Sequence, residues 1–263
     1  MSFANQVAVI TGASSGIGHA LTRALAAQGC KVGLVARRAE HLAALATTIE
    51  HTGGTATWAA ADVADRGQTL AAIGELAGRL GPVDLLVANA GVGAPTVVEP
   101  ALNTADVEKM FRVNVLGVVY SIEAVLPAML QRRRGHIAAV SSVAGYKGLP
   151  GEWGYSASKA AVINLMEGLR IQLRDLGIAV TTICPGFVKT PMTEVNQFHM
   201  PFVLEADEAA RRILRALARR KKVYNFPLPM SLFMKLTRWA PDWLMARGMR
   251  GYNEDPPFPK QPL

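Results

Sequence analysis

The sequence predicts a doubly wound α/β fold, a parallel seven-stranded sheet with helices on both faces. Two features carry this prediction. Short β-branched runs alternate with longer amphipathic ones along most of the chain, and parallel neighbours need a crossover that such helices supply. The runs "VDLLVANA" (83–90) and "AVTTICPG" (179–186) are apolar without alternation, as strands covered on both faces are. Right-handed crossovers then set a ligand site beyond the carboxyl ends of the strands.

Taken in order, strands are expected near 6–11, 31–36, 55–61, 83–88, 135–141, 178–184 and 222–226, with helices near 16–28, 39–52, 65–80, 103–130, 155–176 and 205–220. Each strand position is a short β-branched or uniformly apolar run, and each helix position a longer amphipathic stretch. "KKVYNFP" supplies the last strand. Beyond it, Leu232, Phe233, Leu236 and Trp239 fall on one helical face, and Pro241 suits the first turn of a second helix. This extension, about 229–250, is expected to cap a pocket or pack against a second subunit. Contact with a membrane surface is the alternative, whereas Lys235, Arg238 and Asp242 interrupt it too often for a span. The proline-rich end at 253–263 reads as loose. With neither repeat nor linker, residues 1–263 are expected to form one domain whose sheet core covers about 5–226.

Half of the 263 residues are apolar and 18% are charged, a balance that supports a large core and excludes global disorder. Cys30 and Cys184 offer no disulfide framework and suit a reducing compartment. "MSFANQVAVITG" carries no export signal, and no run of eighteen apolar residues occurs, so a cytoplasmic protein without a spanning helix is expected. The formal charge is +8, and residues 205–250 hold eleven Lys or Arg against four Asp or Glu. A solvated basic face and a contact for an anionic membrane or ligand both fit that excess. "RRILRALARRKK" has no interleaved aromatics and no reading module, which argues against nucleic acid.

"VAVITGASSGIGHALTRALAAQG" sets Gly12, Gly16 and Gly18 after a strand and at the opening of a helix, with Ser14, Ser15 and Ile17 among them. Glycines there let the backbone turn sharply and approach a pyrophosphate held on helix N–H groups. Tight packing of a strand–helix turn is the competing use. At the end of the next strand, where an acidic residue would hold ribose hydroxyls, stand Ala36, Arg37 and Arg38. A guanidinium fork suits a 2′-phosphate, which favours NADP(H) over NAD(H), with Arg37 the better candidate. Two solvated surface arginines remain the alternative.

The glycine spacing led by "TG", together with "AAADVAD", "VANAGVG", "FRVNVLG", "SSVAGY", "YSASK" and "ICPGFVKT", resembles the short-chain dehydrogenase/reductase family. The resemblance covers roughly residues 5–222, with seven motifs in order. It implies a Rossmann fold in which Asp62 accepts from the adenine amino group and Val63 lines the adenine pocket. Asn89, Ala90 and Gly91 would stabilise the central strand beside the adenosine ribose. Pro185, Gly186, Val188 and Thr190 would wrap the nicotinamide. The position before the loop's second glycine, basic in many NADP-binding members, is Ser15 here.

Tyr155 and Lys159 are four apart on an expected helix and so project from one face. A nearby ammonium favours the phenolate; bringing a phenol from its ordinary pKa to neutrality takes about 4 kcal/mol, which the lysine, a cationic nicotinamide ring and donors to the phenolic oxygen would together supply. Such a pair is ordinary on an amphipathic helix, but the family uses it as acid/base and as a contact to the dinucleotide. Ser142, thirteen residues before Tyr155, would donate to the substrate oxygen, while Ser141 suits a local backbone bond. Asn114 resembles the family's helix asparagine, which holds a water against the lysine; a buried, helix-bending role is compatible. The histidines have no metal-ligand spacing, so no metal is expected.

Large apolar residues crowd the two segments expected at the substrate end: Tyr146, Leu149, Trp153, Phe187, Met192, Val195, Phe198, Met200 and Phe202. Some must be ordinary core. Their density favours a lipophilic ketone, aldehyde or alcohol as substrate. A 3-ketoacyl-thioester reductase and a non-enzymatic NADP(H) sensor are the alternatives. A homodimer through the helices at 103–130 and 155–176 is implied by resemblance.

Overall fold

A computed structural model describes residues 3–96, 98, 101–194 and 200–248. The expected contacts of Val195 and Phe198, His199, and the proline-rich end at 253–263 lie outside the described residues.

Nine strands and nine helices are seen among the described residues. In chain order they are β1 (Val7–Thr11), α1 (Gly16–Ala26), β2 (Lys31–Ala36), α2 (Ala39–His51), β3 (Thr55–Ala60), α3 (Arg66–Leu80), β4 (Leu85–Ala88), α4 (Thr104–Phe111), α5 (Gly117–Arg132), β5 (Gly135–Val140), α6 (Trp153–Leu173), β6 (Ile178–Pro185), β7 (Val188–Lys189), β8 (Leu204–Glu205), α7 (Ala206–Ala218), β9 (Val223–Phe226), α8 (Leu228–Thr237) and α9 (Asp242–Gly248). Seven strands form one parallel sheet in the order β3-β2-β1-β4-β5-β6-β9. The order reverses between β1 and β4, which opens a crevice at their carboxyl ends.

The uniformly apolar strands are covered on both faces because side chains alternate along each strand. In β1, Ala8 and Ile10 join one core with Leu21, Leu25, Leu42, Ile213 and Leu217 from α1, α2 and α7. Val7 and Val9 join the other, with Ile73, Leu76, Val118, Ile122, Val162 and Met166 from α3, α5 and α6.

The helix expected at 103–130 is continuous from Thr104 to Arg132, but a π-turn at Arg112–Leu116 widens it around Asn114. By length and hydropathy alone this stretch could cross a membrane. Its packing against α3, β4 and β5 accounts for the apolar side chains instead. The two-strand pair β7–β8 is an addition to the seven expected strands; it pins the segment after Pro185 back on itself.

The C-terminal helices form as expected but bury a different face. Met230 and Met234 of α8 pack on Val143, Cys184, Tyr146, Leu149 and Ile163, so Leu232, Phe233, Leu236 and Trp239 point outward and are exposed. The reason is position: α8 lies on the short 3-10 turn Val143–Tyr146 and offers that turn its methionines.

Candidate active site

The crevice at the strand reversal is a cleft of about 280 Å³. One end of it is the β1–α1 turn. Gly12 has φ +68°, and a Cβ there would stand 2.8 Å from the Ala90 Cα, so only glycine lets this backbone cross so close to β4. Ser15 is the N-cap of α1 but its side chain makes no capping bond. The first-turn N–H groups of Gly16 and Ile17, which line the cleft beside Ser14 and Ser15, therefore lack a capping acceptor from that side chain. Such a helix start binds anions. Gly18 sits behind the wall, where a side chain would run into the Gly12 carbonyl.

The turn is held to the central strand by Thr11 and Asn89. Thr11 Oγ1 accepts from the N–H groups of Asn89 and Ala90, both at 3.1 Å, and Asn89 Nδ2 donates to the Thr11 carbonyl at 3.0 Å. Past the carboxyl ends of β2 and β3, Arg37, Arg38, Asp62 and Val63 line the cleft. Arg37 and Arg38 are exposed, and Arg38 donates to Ser14 Oγ at 3.0 Å, folding its guanidinium over the glycine turn. Asp62 Oδ1 accepts from Ala64 N–H at 3.0 Å, which fixes the carboxylate at the strand end.

At the other end Ser142, Tyr155 and Lys159 meet in the same cleft. Lys159 is 4% exposed; its Nζ donates to the Val140 carbonyl at 3.2 Å and lies 5.6 Å from the centre of the Tyr155 ring. A Cβ on Gly91 would stand 3.2 Å from that Nζ and 3.3 Å from Asn114 Oδ1, so glycine leaves room for both. Asn114 is fully buried. Its amide accepts from Val92 N–H at 2.8 Å and donates to the Val92 carbonyl and to Ser158 Oγ, both at 2.9 Å. These bonds tie the π-turn to the cleft wall and to α6. Asn114 itself does not line the cleft. Ser141 turns away, donating to the Lys159 carbonyl at 2.7 Å.

The electrostatics differ from the sequence expectation. Burial around the hydroxyl pushes the Tyr155 phenol up to about 12, with the Glu152 carboxylate adding to the rise and a hydrogen bond with Ser142 opposing it. Burial likewise pushes the Lys159 ammonium down to about 8. Desolvation favours the neutral form of both groups, so the protein alone does not acidify the phenol. A cationic nicotinamide ring, part of the sequence expectation, would add the positive charge that favours the phenolate.

Thr190 closes the cleft in a braced turn. Thr190 N–H donates to Thr193 Oγ1 at 3.0 Å, and that hydroxyl donates to the Val188 carbonyl at 2.7 Å. Pro185, Gly186, Val188, Thr190 and Met192 all face the cleft. Of the apolar residues expected at the substrate end, Tyr146 and Leu149 prove to be packing residues under α8, and Tyr146 donates to Asn225 Oδ1 at 2.8 Å. No described residue of α8 or α9 lines the cleft. Sequence reasoning passed over Thr11, Glu152 and Thr193. Only Thr193 left a signal, a hydroxyl three positions after Thr190, the spacing of a local side-chain turn.

The cleft fits a nicotinamide dinucleotide. An N–H-lined helix start, a backbone crossing that a side chain would fill, and a phenol beside a hydroxyl and an ammonium make this the site of a dinucleotide-dependent oxidoreductase. The comparisons agree. The family model for short chain dehydrogenases matches residues 6–199. An uncharacterized oxidoreductase of Myxococcus xanthus is 38% identical over 245 residues, 93% of this chain and 96% of its own. Human 17-beta-hydroxysteroid dehydrogenase 13 is 31% identical, over 92% of this chain and 81% of its own. The structure of a short chain dehydrogenase/reductase from Burkholderia phymatum in complex with NAD superposes with a TM-score of 0.78 at 27% identity, covering 100% of this chain and 99% of that one. The chain belongs to the short-chain dehydrogenase/reductase family. It is an oxidoreductase acting on CH–OH or C=O groups, and its family uses NAD(H) or NADP(H).

Proposed function

We propose that the protein is an NADP(H)-preferring reductase or dehydrogenase that interconverts a lipophilic ketone or aldehyde and its alcohol. The observation carrying this reading is the convergence of Ser142, Tyr155 and Lys159 at one end of a cleft whose other end presents two exposed guanidinium groups and no carboxylate at Arg37–Arg38. When bound, the dinucleotide supplies or accepts the hydride and, oxidised, brings a positive ring. Ser142 Oγ donates to the substrate oxygen, holding it where negative charge grows. In reduction the Tyr155 O–H gives its proton to that oxygen; in oxidation the phenolate takes it back. Lys159 steadies the phenolate, and Asn114 is the positioning residue that keeps the lysine's wall in place.

Support for a lipophilic substrate comes from Met192 on the cleft and from exposed Phe202 and Val203 in the segment that follows it. A relative named for a hydroxysteroid points the same way. The neighbour solved with NAD favours NAD(H) as the second reading of the cofactor. The reading extends to a reducing cytoplasmic compartment, in keeping with two free buried cysteines. It also extends to a homodimer through α4–α5 and α6, where Phe111, Leu116, Val119 and Ile171 are exposed.

The test is consumption of NADPH and NADH over ketones and alcohols graded by size and polarity. Tyr155→Phe is expected to lower kcat by about 100- to 10,000-fold while NADPH affinity, read by fluorescence titration, stays nearly intact; full turnover in that variant would remove the assigned acid. Arg37→Asp with Arg38→Asp should weaken NADPH binding by about tenfold or more and leave NADH binding nearly unchanged. Equal losses would move the 2′-phosphate contact elsewhere.

A further inference from the structure

The last two described helices expose what the rest of the chain hides. Trp239 is 85% exposed, Trp243 68% and Phe233 64%, with Leu228 and Leu236 exposed beside them. The face is fixed in place. Met230 and Met234 anchor α8 below, and Lys147 Nζ donates to the Ala240 carbonyl at 3.2 Å, pinning the corner between α8 and α9. Yet α9 has seven residues and buries none of them. A helix that short is not stable in water by its own hydrogen bonds, so an apolar phase on its outer side is what its sequence suits.

Charge decides which phase. Between Leu228 and Gly248 the exposed arginines are Arg238 and Arg247, against the single acid Asp242, while Lys235 turns its Nζ over the Tyr146 ring at 5.3 Å. A two-fold contact between copies would set this surface against itself and crowd its cations together. A neutral apolar partner would leave them without counter-charge. An anionic bilayer satisfies both halves: tryptophans and leucines enter the headgroup–acyl boundary while Arg238 and Arg247 meet lipid phosphates. The basic run at Arg219–Lys222 plays no part in this face, because it precedes β9 at that strand's amino end, whereas α8 leaves from its carboxyl end.

We propose that α8 and α9 form a peripheral docking face for anionic phospholipid membranes. The face adjoins the active site: a Cβ on Gly186, which lines the cleft, would stand 2.7 Å from Met230 Sδ. Docking on α8–α9 therefore leaves one helix between the lipid and the cleft wall. The proposal stands on this surface alone and does not depend on the substrate or cofactor assigned above.

The experiment is co-sedimentation of the purified full chain with phosphatidylcholine vesicles and with vesicles of about three parts phosphatidylcholine to one of phosphatidylglycerol. Binding is expected to the anionic vesicles alone and should fade as salt rises. Trp239→Ala with Trp243→Ala, and separately Arg238→Glu with Arg247→Glu, should each weaken it by about tenfold or more, with unchanged melting by circular dichroism. If the tryptophan variant is unstable, the arginine pair carries the test, since both side chains are exposed. Three results would overturn the proposal. One is a wild-type chain that ignores both vesicles. Another is an arginine variant that binds like wild type. The third is a tryptophan variant that turns a dimer into a monomer in analytical ultracentrifugation without affecting lipid binding; this would make the face a contact between copies.

Discussion

The sheet half and the C-terminal helices treat apolar residues in opposite ways. In β1 every residue is buried, and Ile10 is sealed against α1, α2 and α7. In α8 the largest side chains face outward and Met230 and Met234 face in, and α9 buries none of its residues. The contrast shows that a hydrophobic stripe states only that a face seeks an apolar neighbour. In the sheet the neighbour is another part of the same chain. At α8–α9 no described part of the chain supplies it.

Breaking the first half should produce the largest effect. Gly12→Val forces a side chain into positive φ and onto the Ala90 backbone. It is expected to cost about 2–5 kcal/mol of stability and abolish dinucleotide binding, measured by urea unfolding and by titration; a tightly binding variant would mean the turn is not the phosphate seat. Next in size is a paired substitution that puts the comparison to the test. Ile10→Ala should cost about 2–5 kcal/mol, and Leu236→Ala no more than about 0.5 kcal/mol. Should Leu236→Ala prove as costly as Ile10→Ala, the outer face of α8 is already covered in solution.

The smallest effect comes from a buried titrating group. Burial pushes the His136 imidazole down to about 4, aided by Arg220. Thr181 Oγ1 donates to the Lys221 carbonyl and so accepts from His136 Nε2 at 2.8 Å, which fixes the Nε2–H tautomer while burial keeps the ring neutral. A neutral buried histidine contributes stability that is complete above its unfolded value near 6.5 and is lost as pH falls through 6.5 toward 4, where the unfolded chain takes up the proton first. His136→Gln should therefore flatten the decline in urea midpoint between pH 7 and pH 4.5. An unchanged slope would show that other groups set the acid limit.

Much of the site was legible because its parts are local. The glycine turn and the Tyr155–Lys159 pair each state a backbone need or a shared helix face within a few residues. The structure brings Ser142, Tyr155 and Lys159 into one cleft with Gly12, Gly16, Arg37, Asp62 and Thr190. Other parts were not legible. Thr11 acts on Asn89 and Ala90 from far along the chain, and Glu152 acts on the phenol through space. The π-turn at Asn114 arises because that amide reaches Val92 and Ser158, partners 22 and 44 residues away.

The sequence by itself determined the alternation of strands and helices, the seven-stranded parallel class and the chemical identity of the cleft's side chains, because periodicity and turn chemistry act over a few residues. Only the tertiary structure decided which methionines α8 buries, that Tyr146 and Leu149 pack beneath that helix and not at the cleft, and that burial by itself raises the Tyr155 phenol. Each of these depends on which distant surface lies opposite, and desolvation is a property of the folded surroundings that no local pattern encodes.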